Sequence, residues 1–108
     1  MAPTINRMML GGVALVQPAV LRFTSRGTPY CRFVVIVDDS WGERSRSYPL
    51  RCILWGEHAR ELAPRLVRGA RVTLEGRLSC SDWTDSEGRH RLDPEMAVEA
   101  ILLPAQTT

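Results

Sequence analysis

Apolar residues fall on every second position three separate times in this chain, and the alternation is broken once by a segment of helical spacing. A period of two puts one set of side chains on one face of an extended strand. Cys31, Phe33, Val35 and Val37, then Leu50, Cys52 and Leu54, then Val72, Leu74, Leu78 and Cys80 are therefore each expected to point into a core. Between the second and third sets, Ala59, Leu62, Ala63 and Leu66 recur at helical spacing. Residues 57–68 read as a short amphipathic helix, closed by Gly69 and kinked or divided by Pro64.

Turn residues punctuate the strands. The first strand covers residues 6–22, and Gly11 with Gly12 inside it predicts a bulge or sharp bend that lets one long strand serve both sides of a small barrel. Ser25, Arg26 and Gly27 form a turn before a second strand at residues 29–38. A charged, serine-rich loop is expected at residues 39–47, with Trp41 on it, and a third strand follows at residues 48–55, ended by Gly56. On that strand Arg51, Ile53 and Trp55 take the face opposite the core. In the fourth strand, residues 71–83, that second face carries Arg71, Thr73, Glu75, Arg77, Ser79 and Trp83. Asp85, Ser86, Glu87 and Gly88 make a hairpin tip. A fifth strand spans residues 89–103, in which Pro94 needs an edge or irregular position because it has no amide proton to donate. Residues 104–108 are expected to fray. Three strands, a helix and a hairpin is the order of the all-β OB-fold, a five-stranded Greek-key barrel with one short helix between strands three and four. A chain of 108 residues with 44% hydrophobic content supplies one core, so residues 1–108 are read as one domain.

Charge and cysteine usage narrow the function classes. The net charge is only +2, yet all 14 basic residues are arginine. The guanidinium fork pairs with phosphate and stacks on bases, which suits nucleic acid; codon bias would give the same composition. Cys31, Cys52 and Cys80 are unpaired in spacing and sit in apolar runs, which predicts buried reduced thiols, and His58 and His90 make no ligand pair, so neither a metal nor another cofactor is expected. The apolar run at residues 8–16 is interrupted by two glycines and lacks a cleavage site, and nine residues cannot span a bilayer; a strand in a cytoplasmic protein is the expectation. Asp38 and Asp39 adjoin in sequence but point to opposite sides of a strand. Without a nucleophile motif or a phosphate-cradling glycine loop, enzymatic activity is not expected.

Binding unpaired strands needs aromatic faces for bases and cations for phosphates. Both occur together in Trp41 with Arg44 and Arg46, in Arg51 with Trp55, and in Trp83 with Arg89 and Arg91. Arg22, Arg32 and Arg77 complete the arginines expected to track a backbone. Each tryptophan could instead cover core, and Trp55, at a strand end beside the helix, is the one whose removal is most expected to open a cavity.

The segments INRMMLGG, LRFTSRGTPYCRF, RCILWGEHARELAPRLVRGARVTLEGRL and WTDSEGRHR together resemble bacterial single-stranded DNA-binding proteins of the homotetrameric type over nearly the whole chain. The resemblance implies single-stranded DNA as partner, roles in DNA replication, recombination or repair, and a homo-oligomer. It implies base stacking on Trp41, Trp55 and Trp83. A fourth stacking position departs from the family: Pro49 and Leu50 precede Arg51 where tryptophan and histidine are usual, with Tyr48 the nearest aromatic substitute. The family histidine lies at a subunit interface, so Leu50 leaves dimer and tetramer both open. The acidic C-terminal recruitment tail usual in the family is absent from the 108 residues, which implies coating without tail-borne recruitment. GTPYCRF and EGRLSC also resemble primosomal replication protein N, a dimeric relative in replication restart. The tryptophan before the hairpin and WGEHARELAPRLVRG favour the general binding proteins. An OB barrel used for protein or RNA contact is the alternative of another class.

Overall fold

The computed structural model describes residues 4–104. Five strands, β1 (Met8–Phe23), β2 (Pro29–Trp41), β3 (Arg44–Trp55), β4 (Arg71–Thr84) and β5 (His90–Leu102), close a barrel in the order β1-β2-β3-β5-β4. Neighbours are antiparallel except β3 and β5, which run parallel over Cys52–Leu54 and Met96–Val98 only. The long first strand closes the barrel by changing partners: Met8 to Ala14 pair with β4, and Ala14 to Phe23 pair with β2. The change is made at the expected bulge, where the β1–β4 register shifts between Leu10 and Val13 and Gly12 takes φ 64, a left-handed conformation that a β-carbon would strain.

Inside, Leu15, Cys31, Phe33, Val35, Cys52, Leu54, Val72, Leu74 and Met96 meet from all five strands. The helix is shorter than the sequence suggests. It is α1 (Glu57–Leu62), followed by one 3-10 turn at Ala63–Arg65. Pro64 lacks the N–H that a continuing α-helix would use, which divides the segment as expected, and residues 66–68 leave helical geometry. Ala59, Ala63 and Leu66 plug one end of the barrel, pinned by the Ala19 amide donating to the Leu66 carbonyl at 2.9 Å and the Gly69 amide to the Leu15 carbonyl at 2.8 Å. Fully buried, Leu66 contributes about 2 to 3 kcal/mol of apolar transfer.

Three expectations are corrected. Residues 39–47 are not a loop: β2 and β3 pair without interruption to Trp41 and Arg44, turning at Gly42 and Glu43, because each strand satisfies the other's backbone beyond the barrel wall. Leu78 and Cys80 do not point into the core. β4 has passed its last pairing with β1, Met8 with Gly76, before Leu78, and β5 leaves β3 beyond Met96. The two strands run on as a ribbon whose inward-parity side chains have no opposite wall, and both residues are exposed. Cys80 is thus a surface thiol, whereas Cys31 and Cys52 are buried as expected. Ile53 takes the face opposite the core with Arg51 and Trp55, as expected, and is buried there because strands on both sides place Arg32 and Ala97 next to it. The expected hairpin tip is present, with the Gly88 amide donating to the Asp85 carbonyl at 3.0 Å. Pro94 falls on the ribbon, where only β4 flanks its strand. The expected fraying concerns Pro104, which is irregular, and residues 105–108, which lie outside the described ones.

Candidate nucleic-acid interface

Register assigns the site residues to faces, because paired residues in adjacent strands project to the same side. Val20, Arg32, Ile53, Ala97 and Arg77 are partners in succession across all five strands, on the outside of the barrel. One row over, Arg22 pairs with Tyr30 and Tyr30 with Trp55. Val34 and Arg51 pair on the other side of this line. The outer face of β1, β2, β3 and β5 therefore carries Arg22, Tyr30, Arg32, Arg51 and Trp55 side by side, around an apolar centre of Ile53 and Ala97.

Contacts hold these groups in place. The rings of Tyr30 and Trp55 lie 5.0 Å apart at 32°, and the Arg32 guanidinium stands 5.6 Å from the centre of the Tyr30 ring. Arg32 Nε reaches Glu95 at 3.4 Å, and Glu95 is the buried charged residue of this face. Farther along β5, Asp93 Oδ2 accepts from the Trp83 indole N–H at 2.7 Å and pairs with Arg51 at 3.3 Å. That carboxylate joins the β4–β5 ribbon to the barrel platform. Trp55 is 48% exposed and Trp83 45%, so each is anchored on one side and presents its other side to solvent. Trp55 consequently stacks on Tyr30 outside the core, and the cavity expected from its removal is not there to open.

At the ribbon's tip, Asp85 organises the arginines. Its carboxyl is held below the usual carboxylate range, first by the Arg89 amide, then by the Arg91 guanidinium and the Glu87 amide. Arg91 Nε lies 3.0 Å and Arg89 Nε 3.7 Å from Asp85 Oδ2, and Arg89 also pairs with Glu87. Arg77 is 3.6 Å from Glu99. The Arg77–Glu99 and Arg89–Glu87 pairs are exposed on both sides and worth little, whereas Asp85 is only 14% exposed beside the exposed Arg89 and Arg91.

Trp41, Arg44, Arg46 and Tyr48 belong elsewhere. Trp41 pairs with Arg44, Asp39 with Arg46 and Val37 with Tyr48, and these positions continue the core-facing parity of the β2–β3 ribbon, opposite to Arg51 and Trp55. Asp38 is on the reverse side, bonded by the Ser47 hydroxyl at 2.7 Å, as the alternation requires. Trp41 is 73% exposed and Tyr48 43%, so neither covers core. The predicted residues thus form a platform with Trp55 and Trp83 and a separate cluster on the hairpin arm. Sequence reasoning missed Tyr30 and Asp93. Tyr30 could have been found, since it alternates with buried Cys31 and shares its parity with Arg32; the Arg51 partner of Asp93 is 42 positions away and no local signal joins them.

A closed five-stranded barrel with a helix plugging one end is an OB-fold, and its half-exposed aromatics and arginines lie on the second and third strands, the face with which that fold can bind oligonucleotides. The single-strand binding protein family model matches residues 5–104, and the chain belongs to that family. It is 30% identical over 105 residues to the single-stranded DNA-binding protein of Treponema pallidum, covering 92% of this chain and 57% of that protein. Against the single-stranded DNA-binding protein of Mycobacterium leprae the identity is 39% over 88 residues, covering 75% of this chain and 52% of the relative. The chain thus spans a little over half the length of these curated relatives. The structure of a Plasmodium falciparum SSB complex with ssDNA superposes with a TM-score of 0.81 at 16% identity, covering 97% of this chain and 99% of that one, a likeness of fold. Among the described residues no helix is long and apolar enough to cross a membrane.

Proposed function

We propose that this protein binds single-stranded DNA without sequence preference, as a cytoplasmic, non-catalytic homo-oligomer acting in DNA replication, recombination or repair. The observation that carries this reading is the platform: Trp55 on Tyr30 and Trp83 on Asp93, each about half exposed, with Arg22, Arg32 and Arg51 between and beside them. Unpaired bases expose their faces to such rings, and each stacked base is worth about 1 to 3 kcal/mol. Duplex bases are already stacked and offer no such face. Membership in the single-strand binding family and the names of the relatives support the same partner.

The test is intrinsic tryptophan fluorescence titrated with oligo-dT, duplex DNA and single-stranded RNA at several salt concentrations. Quenching by oligo-dT, absent with duplex, is the expected result. The log-log salt slope should lie near −2 to −4, from about 0.7 for each of three to six phosphates neutralised. The net charge of +2 does not oppose this, because the arginines of the platform act locally, acidic residues beyond about one Debye length are screened, and of the nearby ones Asp93 and Glu95 are each offset by a paired arginine. Equal or stronger response to single-stranded RNA would move the function to RNA, and no response to either strand would overturn it. One barrel offers a site of only about 4 to 16 nucleotides, which is why assembly of several copies is part of the proposal. Sedimentation at micromolar concentration should show a dimer or tetramer; a monomer contradicts it.

A further inference from the structure

Two hydrogen-bond donors of different chemistry, the Trp83 indole N–H from β4 and the Arg51 guanidinium from β3, converge on one oxygen, Oδ2 of Asp93. A single acceptor oxygen flanked by a cation and an aromatic N–H is the local arrangement that a nucleotide phosphate would demand, with the indole face beside it for the base. Here the chain's own carboxylate occupies that position. Asp93 is accessible, its side chain being 37% exposed, so an incoming anion can reach the donors and the carboxylate has room to leave. The neighbouring pair on the same strand is different. Glu95 is 6% exposed at its side chain and cannot be displaced without opening the sheet.

From this contrast we infer that Asp93 stands in for a phosphate on the empty platform: it holds Trp83 and Arg51 in their binding positions and is exchanged for a backbone phosphate when the strand arrives. This rests on the single-strand binding proposed above and adds a residue that lowers affinity while keeping the site ordered. Without its charge, Arg51 has no competitor and the phosphate meets no repulsion. Loss of one exposed ion pair of this kind corresponds to about a twofold to fivefold change in equilibrium. Arg51 meets a phosphate in the complex whether or not position 93 is charged, so the number of phosphates neutralised, and with it the salt slope, should stay the same.

Asp93→Asn tests it, because the amide oxygen still accepts from the Trp83 indole while the negative charge is gone. Oligo-dT affinity measured by anisotropy of a labelled strand at several salt concentrations should rise about twofold to fivefold at low salt, with the slope unchanged. The same substitution made in Arg51→Gln protein should raise affinity by less, since no ion pair remains to be broken. Unchanged or weaker binding by Asp93→Asn in protein that melts normally overturns the inference, and so does an equal gain without Arg51. If Asp93→Asn lowers the melting temperature, Asp93→Ser is measured in its place and judged by the same comparison. Wild-type protein that fails to bind oligo-dT at all refutes the proposed function instead, so the two failures are distinguishable.

Discussion

Replacing Trp83 by alanine separates recognition from folding because of where the side chain stands. Its strand has already left the barrel, the ring is 45% exposed, and its anchors are one hydrogen bond to Asp93 and the ribbon surface beneath it. Somewhat over half of the side chain is covered, on the order of 100 Å², so truncation costs the fold about 2 kcal/mol at most by area. That corresponds to a fall in Tm within roughly 15 °C. On the binding side one stacking platform is lost, about 1 to 3 kcal/mol, or roughly a fivefold to 150-fold weaker Kd for oligo-dT. Anisotropy of a labelled oligonucleotide reads the affinity and circular dichroism the Tm, while Leu66→Ala serves as the contrasting variant. Leu66 is fully buried at the barrel end, so its truncation should cost about 2 to 5 kcal/mol of stability and leave the affinity of the folded protein unchanged. Should Trp83→Ala bind oligo-dT like wild type while folded, the hairpin ribbon is no part of the interface and stacking must rest on Trp55 and Trp41.

Three further outcomes follow from packing and titration. Gly76→Ala should destabilise by about 3 kcal/mol or prevent folding, because a β-carbon there would stand 2.0 Å from the Ala97 carbonyl oxygen, a sheet backbone atom that cannot swing aside; thermal melting reads this, and a normal Tm contradicts the close approach. Iodoacetamide should modify Cys80 in the native protein and reach Cys31 and Cys52 only on unfolding. Burial pushes the Cys31 thiol up to about 11 and, with the Glu95 charge adding to burial, Cys52 to about 12, against an ordinary value of 9.0. Both folded values are raised, so the stability they carry is present below about pH 9 and lost as pH rises toward 11 and 12. The Tm should therefore fall above pH 9, less steeply in Cys52→Ala protein.

The order of elements was legible because barrel strands and helix have different periods, and Gly11 and Gly12 announced the bulge that closes the barrel. What the alternation could not tell is where the barrel ends. Leu78 and Cys80 continue the parity of Val72 and Leu74, and what exposes them is that β1 stops flanking β4 at Gly76 and β3 stops flanking β5 at Met96. The same blindness turned the hairpin arm at residues 39–47 into a loop: charge and serine there reflect solvent on both faces of a ribbon, while the backbone stays paired. Of the site, the tryptophans and arginines could be named from composition around strands. Their grouping could not, since Asp93 meets Arg51 and Trp83 only through the β3–β5–β4 order.

That grouping changes what three tryptophans mean. Trp55 and Trp83 share one connected surface through Arg51 and Asp93, whereas Trp41 sits on the opposite parity of a ribbon whose only partner strand is its own hairpin mate. Two-stranded ribbons twist more strongly than broad sheets, so the hairpin arm carries Trp41, Arg44 and Arg46 progressively away from the plane of the platform. Successive bases lying along Trp55 and Trp83 therefore do not arrive at Trp41. A strand that touches it must first pass round the edge of the β2–β3 arm, following Arg46 and Arg44, or come from a second segment. Under the proposed binding, Trp41→Ala should therefore weaken only longer oligo-dT, while a short strand should depend on the platform of Trp55, Tyr30 and Trp83; equal losses at both lengths would contradict this.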